Sequence, residues 1–260
     1  MRLTFIGSGH VATHMAAAFK NAGHRIMQVY SPNLHNASLL AYHVGADATN
    51  ELTGINADTD LFIISVKDDV IEQVAQTLAK HQKPMVHTSG STSIDVLIKY
   101  TDKAGVLYPL QTFSKTREVD FINVPLCIEA VNGSMYTDLE QLAATVSNHI
   151  YSINSAGRKI LHLAAVFACN FPNYLYGVAQ QLLADHQMDF NLLRPLILET
   201  AQKVQQQVPT SVQTGPAVRN DQTTMAVHLQ LLHREPQMQE IYTLLSQGII
   251  KNNIDGHGDK

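Results

Sequence analysis

The segment Thr4-Phe5-Ile6-Gly7-Ser8-Gly9-His10-Val11-Ala12 constrains this chain more than any other. An apolar run gives way at once to Gly7-x-Gly9-x-x-Ala12, and the residues from Val11 to Asn21 carry helical spacing. Each small residue answers a steric demand. Gly7 permits a tight turn, Gly9 lets a phosphate approach the backbone, and Ala12 allows the helix to pack closely on the strand. Unpaired amides at the helix start, with the positive end of its dipole, then face an anion. Such a turn holds the pyrophosphate of a dinucleotide, with Gly7, Ser8, Gly9, His10 and Val11 as its contacts.

The rest of the first half repeats the strand-helix alternation. Strand-like runs at Leu3–Ile6, Arg25–Tyr30, Leu61–Val66, Met85–His87 and Gly105–Leu107 are separated by helical patterns at Val11–Asn21, Asn36–Val44, Val70–Lys80 and Ser93–Tyr100. Helical crossovers between short strands specify a parallel sheet. A strand at Pro125–Val131, a helix at Met135–Asn148 and a strand at Ile150–Ile153 complete this half, and Asn154-Ser155-Ala156-Gly157 resembles a linker. Beyond it, Arg158–Gln187, Asn191–Gln207, Asp221–Arg234 and Pro236–Ile250 show helical spacing only, and 251–260 has no apolar periodicity and is expected to fray. The expected fold class is α/β: a doubly wound Rossmann domain over 1–153, then an all-helical domain over 154–260. A length of 260 residues accommodates two such domains.

Composition narrows the partners. A formal charge of −4 without a Lys/Arg cluster offers no footprint for nucleic acid or an anionic membrane surface, so the expected ligand is a small molecule. The apolar runs fall short of the roughly 20 residues a spanning helix needs. Cys127 and Cys169 have no metal-ligand spacing and are too few for a disulfide framework, so no metal is expected. Together with the absence of an export-like start, this leads to the expectation of a cytoplasmic protein.

The second strand ends at Tyr30-Ser31-Pro32-Asn33, where an NAD-binding domain usually places a carboxylate for the ribose hydroxyls. Ser31 tolerates a 2′-phosphate that a carboxylate would repel. NADP is therefore favoured and NAD stays open, as does the plain reading of a strand-to-loop turn at Pro32. Ligands of open α/β sheets bind beyond the carboxyl ends of the strands, which makes Val66, Lys67 and Ser89 further cofactor candidates. Around Ser89, the run His87-Thr88-Ser89-Gly90-Ser91 serves equally as a helix-capping signal.

In the helical half, Pro172 lacks an amide and crowds the preceding turn, so a kink or break is expected near Asn170. Asn170 there could orient a carbonyl or the nicotinamide amide, and His162 could donate a proton. The alternatives are a partly buried helix histidine and an Asn that only satisfies the kink. A last polar cluster, Thr214-Gly215-Pro216-Ala217-Val218-Arg219-Asn220-Asp221, offers Arg219 as a fork for an anion. Asp221 and His228 lie on the helix that follows, with capping by Asp221 the simpler reading.

With these motifs, joined by Tyr108-Pro109-Leu110-Gln111-Thr112-Phe113 and Phe167-Ala168-Cys169-Asn170-Phe171, the sequence resembles a family of Rossmann-like NADP-dependent oxidoreductases with a helical carboxy-terminal domain of uncharacterised function. That family is related to pyrroline-5-carboxylate reductase and the 6-phosphogluconate dehydrogenase superfamily. The resemblance spans nearly the whole chain. It implies a helical domain of 6-phosphogluconate-dehydrogenase type, a homodimer formed through that domain, and hydride transfer to or from a small imine or carbonyl bound between the domains. His162 or a water would supply the proton, Asn170 the orientation, and Arg219 with Ser89 the anchor for an anionic group, beside Asp221 and His228. Val166 stands four residues before Asn170, where hydroxyacid dehydrogenases of the superfamily carry Lys, and Pro32 follows Ser31 where relatives often carry Arg. The missing Lys motivates a second expectation, a non-catalytic dinucleotide sensor or partner-binding module. A methyltransferase using the glycine turn for S-adenosylmethionine is a third.

Overall fold

The computed structural model describes residues 1–114 and 117–255. It divides the chain into two compact units, Met1–Phe171 and Pro172–Lys260.

The first unit is built on one eight-stranded sheet: β1 (Arg2–Ile6), β2 (Arg25–Tyr30), β3 (Asp47–Thr49), β4 (Leu61–Ile64), β5 (Met85–His87), β6 (Ala104–Pro109), β7 (Leu126–Ala130) and β8 (Ile150–Ser152). Their order is β3-β2-β1-β4-β5-β6-β7-β8. Neighbours are parallel except β6 and β7, which run antiparallel with Leu107 opposite Ile128. Its described residues include the α-helices α1 (His10–Asn21), α2 (Leu34–Val44), α3 (Ile71–Leu78), α4 (Asp95–Ile98), α5 (Gly133–Ala144) and α6 (Ser155–Ala165).

Successive strand residues feed opposite cores. Leu3, Phe5, Leu61 and Ile63 pack with residues of α1, α2 and α5, while Ile6, Phe62, Ile64 and Met85 pack with residues of α3 and α4. Both faces of the central strands are therefore apolar, as a doubly covered parallel sheet requires. The doubly wound fold expected from the sequence is the one observed. From β1 the chain crosses to β2 on one side and reaches β4 on the other, so the order reverses between β1 and β4. In open α/β sheets, ligands bind at the carboxyl ends of the strands flanking such a switch point.

Several local expectations change. Strand β3 is too short and polar to stand out by pattern, and it forms because β2 offers it an edge from Gln28 to Tyr30. The helix expected over Ser93–Tyr100 contracts to the single turn of α4. Asn154–Gly157 is the cap and first turn of α6, with the Asn154 side chain accepting from the Gly157 amide.

At Asn170 the chain does not break. Residues Val166–Asn170 form a π turn leading straight into α7 (Phe171–Asp185), with the Phe171 amide donating to the Val166 carbonyl. The wider turn absorbs Pro172, which has no amide to give.

The second unit continues with α8 (Arg194–Gln206), α9 (Gln222–Leu231) and α10 (Pro236–Asp255), and no strand occurs among its described residues. Helix α10 runs through Asp255, into the stretch expected to fray; residues 256–260 lie outside the described residues. Among the described residues, no helix is long and apolar enough to cross a membrane.

Candidate functional site

The glycine turn carries a requirement stronger than pattern alone conveys. Gly7 has φ +124°, and a Cβ there would stand 2.0 Å from the Ser65 carbonyl oxygen. Two hydrogen bonds fix this approach: the Gly7 amide donates to Tyr30 and the Ser65 amide to Ile6, each at 2.8 Å. No side chain fits at position 7, on grounds of both space and conformation. Gly9, by contrast, has nothing within 4 Å of a Cβ position. It caps α1 without a side-chain bond, and the first turn of α1 holds no acidic residue. The amides at His10 and Val11 thus start a helix with its positive end uncovered beside open backbone.

The remaining proposed cofactor contacts surround this turn unevenly. The His10 ring meets the Phe113 carbonyl at 3.1 Å, and His14 meets Ser114 at 2.8 Å while stacking on Phe113. What His10 offers a ligand is therefore its backbone. Ser8 lies on a groove of about 870 Å³ bordered by α1, α2 and residues 117–122. Ser31 is buried, its amide donating to Thr49, and Asn33 caps α2 by accepting from His35 and Asn36. No carboxylate stands on the Tyr30–Asn33 segment. Val66 lies 3.4 Å from the Gly7 Cβ position, and Lys67 is exposed.

Beyond β5 the chain forms a tightly bonded loop. The Ser89 hydroxyl accepts from the amides of Ser91 and Thr92, at 3.1 and 3.0 Å, and donates to the Thr92 hydroxyl. Ser91 in turn donates to Asp68, and Thr88 donates to Ser65 at 3.1 Å, tying this loop to the one after β4. The sequence marked Ser89 as an anchor for an anion; here its hydroxyl shapes the loop.

Beneath the loop lies His87, fully buried, with Nδ1 accepting from the Ser89 amide at 3.2 Å. The proton then resides on Nε2, which has no hydrogen-bond partner among the described residues. Burial, with Arg158 adding to it, lowers the ring to about 4 against the opposing influence of the Ser93 backbone, Asp68 and Glu129. His87 is neutral through the physiological range.

Arg158, read from the sequence only as the start of a helix, is entirely buried. Its Nε donates to the Ser89 carbonyl at 3.1 Å, one terminal nitrogen pairs with Glu129 at 2.5 Å, and the other reaches the Thr92 carbonyl at 2.5 Å and Ser155 at 3.1 Å. Glu129 also receives the Ser155 amide and hydroxyl, at 2.9 and 2.7 Å. One guanidinium thereby joins the loop after β5, strand β7 and the start of α6. Residues 158, 161, 162, 165 and 166 recur at helical spacing as the less exposed side of α6 and the π turn, a side that apolar pattern alone does not single out because Ile160, Leu163 and Phe167 are exposed.

The same side of α6 delivers His162, whose Nδ1 lies 3.2 Å from the Tyr108 hydroxyl, with the two rings edge-on at 6.2 Å. Tyr108 comes from the carboxyl end of β6 and is 9% exposed. Gly90 lies against both: a Cβ on it would come within 2.8 Å of His162 Nδ1 and 2.9 Å of Tyr108 Cζ. Burial raises the Tyr108 hydroxyl, with Cys127 adding and Arg158 opposing. Asn170 is exposed in the π turn.

Arg219, Asp221 and His228 belong to the second unit. Asp221 caps α9, accepting from the Thr224 amide and hydroxyl at 3.0 and 2.7 Å; these bonds, with Arg219 and His228 nearby, hold its carboxyl below the usual range. Arg219 is exposed, preceding Asn220 at φ 52°. His228 Nδ1 meets the Tyr242 hydroxyl at 2.8 Å, a partner that the sequence left unnoticed.

Comparison with known proteins places these features. Residues 2–89 match the family model described as NADP oxidoreductase, coenzyme F420-dependent, and residues 124–249 match a domain of unknown function. A search of curated proteins finds no match. Among solved structures, a protein from Bacteroides fragilis classed as an NADP oxidoreductase is 41% identical, with 96% of this chain and 98% of that one covered and a TM-score of 0.91. An imine reductase from Myxococcus stipitatus, solved with NADP+, shares 14% identity over 99% and 96% of the two chains with a TM-score of 0.67. A 1-pyrroline-5-carboxylate reductase from Streptococcus pyogenes shares 14% over 97% and 98%, TM-score 0.64, so these two speak for the fold alone. By its close likeness to the Bacteroides protein over nearly the full length of both, the chain belongs to the family of NADP oxidoreductases.

Proposed function

We propose that this chain is a reductase or dehydrogenase acting on the imine or carbonyl group of a small molecule, with NADP as its redox partner. One observation carries the reading: a backbone cradle at Gly7 and Gly9 that admits no side chain at its base stands at the sheet's switch point. The residues present fit a dinucleotide. Gly7 to Val11 would hold the pyrophosphate, Ser31 the adenosine ribose, and Val66, Lys67 and the backbone near Ser89 the nicotinamide side. The nicotinamide, when bound, supplies the hydride. The chain's own part is to orient the acceptor and manage its proton.

His162 is the proposed proton source and Asn170 the proposed orienting group, while Arg219, Asp221 and His228 are proposed to serve the substrate's anionic end. A homodimer is part of the reading, supported by α7 and α8, which bury no residue of their own and expose Tyr174, Leu196 and Leu198. Both cysteines are free thiols, in keeping with a cytoplasmic setting.

The deciding experiment is a fluorescence titration with NADPH and NADH, followed by NADPH oxidation with a panel of cyclic imines and ketones. NADPH should bind more tightly than NADH, and at least one imine or ketone should oxidise it. Gly7→Ala should weaken NADPH binding at least 100-fold, because Ser65 must move to admit the methyl group. Tight binding without any turnover would leave the non-catalytic module. Sedimentation that shows a monomer at micromolar concentration would remove the dimer.

A further inference from the structure

We propose that the Tyr108 hydroxyl is the group that hands the substrate its proton, and that His162 reloads it from solvent. The inference deepens the reductase reading and rests on it, but its support is in the first unit alone.

Reduction of a carbon-nitrogen or carbon-oxygen double bond needs a proton at the heteroatom besides the hydride at carbon. Of the groups beyond the carboxyl ends of β4, β5 and β6, most are committed elsewhere. Ser89 donates to Thr92, Ser91 to Asp68 and Thr88 to Ser65. His87 is sealed from solvent. Tyr108 is different: its hydroxyl has the His162 ring nitrogen as its hydrogen-bond partner. A phenol has one donor hydrogen and two acceptor lone pairs. With Nδ1–H of His162 donating into one lone pair, the Tyr108 O–H is free to point at an acceptor atom.

The step balances without further reagents. The Tyr108 O–H bond breaks as the new N–H or O–H bond forms on the substrate, leaving a phenolate. The Nδ1–H bond of His162 then breaks and restores the phenol as its Nε2 takes a proton from solvent, so the ring stays neutral. His162 is part-exposed, so water can return the proton to the ring. Burial favours the protonated phenol, so Tyr108 holds its proton until an acceptor arrives.

Gly90 makes this arrangement possible and supplies a way to disturb it. Even a methyl group there would lie inside contact distance of both rings, so the pair exists in the space a side chain would have taken. Arg158 fixes the loop from the other side through the carbonyls of Ser89 and Thr92.

The test uses full-length protein saturated with NADP+, carrying tyrosine labelled with ¹³C at Cζ, and 2-pyrrolidinone as a carbonyl probe that is not reduced. Tyr108→Phe identifies the resonance by its disappearance. The Tyr108 signal should shift on adding the probe, and Gly90→Ala should abolish that shift. In parallel, with 1-pyrroline as the reducible imine, Tyr108→Phe should lower kcat about 100-fold while NADPH affinity stays within twofold. His162→Gln should lower it less, since water can reload the phenol directly. If Tyr108→Phe keeps kcat within threefold of the native protein, or the Tyr108 signal ignores the probe, the proposal is overturned. If the native protein reduces nothing but the signal moves, the reductase reading falls and the assignment of Tyr108 as the acceptor-facing group stands.

Discussion

Each unit of the molecule contains a tyrosine-histidine pair of nearly the same form. Tyr108 and His162 meet at 3.2 Å with rings inclined at 78°, and His228 and Tyr242 meet at 2.8 Å with rings at 87°. Their surroundings have little in common. The first pair is pressed against Gly90 and framed by Arg158, Glu129 and Ser155, so its position is set by a network reaching three separate elements. The second joins α9 to α10 beside a bond from Gln239 to the Leu229 carbonyl at 2.7 Å, and the Asp221 cap lies at the start of α9. A hydrogen-bonded pair is common furniture in a protein. What suits one to proton transfer is a frame that holds it without adjustment when a ligand arrives.

Removing the frame should have the largest effect. Arg158→Ala would leave the part-buried Glu129 without its cation and strip donors from the Ser89 and Thr92 carbonyls. Loss of one partner from a buried, hydrogen-bonded ion pair costs about 3–5 kcal/mol, to be read from urea unfolding of native and variant protein. Arg158→Lys should recover only part of it, because an ammonium cannot span the four acceptors that the guanidinium fork reaches. A loss under about 1 kcal/mol, the range of exposed pairs, would erase the distinction drawn between the two pairs.

That frame was also the part of the site least legible in the sequence, for a physical reason. Gly7, Gly9 and Ala12 announce themselves because their demands are local: a turn, an open backbone and a close helix, all within six positions. The alternation of strands and crossovers is similarly local, and it yielded the doubly wound sheet. Arg158 works through partners 29, 66 and 69 residues away, which only the folded sheet brings together. The antiparallel turn from β6 to β7 is what sets Glu129 within its reach, and nothing in the pattern of β7 foretold that direction. Asn170 shows the opposite failure. Pro172 correctly signalled a disturbance in the helix, yet the chain had the cheaper option of widening one turn over breaking it.

A smaller effect should separate the units by pH. His87 is lowered to about 4 chiefly by burial, whereas an unfolded chain holds its histidines near 6.5. Between those values the unfolded state binds the additional proton. The contribution of neutral His87 is therefore complete above about pH 6.5 and is lost as pH falls through 4. Between pH 7 and pH 5 this amounts to about 2 kcal/mol. In His87→Asn, the acid limb of the stability curve should flatten by that amount, whatever the variant's stability at pH 7. An unchanged acid limb would mean that the ring becomes protonated in the folded protein.

The smallest effect concerns the second pair directly. Tyr242→Phe removes one hydroxyl from the His228 ring and keeps the rings in contact. Loss of a single uncharged hydrogen bond at a part-exposed site should cost about 1 kcal/mol, visible as a modest drop in the urea midpoint. With 1-pyrroline as the reducible probe, kcat and NADPH affinity should stay within twofold, since neither depends on this hydroxyl in the scheme above. The contrast with Tyr108→Phe is the informative quantity. A selective rise in KM for an anionic imine would support the proposed substrate role of His228, whereas a fall in kcat comparable to that of Tyr108→Phe would show that chemistry runs through the unframed pair. Geometry of the pair alone would then have been the wrong guide, and the Arg158 network would be scaffolding for the sheet with no bearing on the proton.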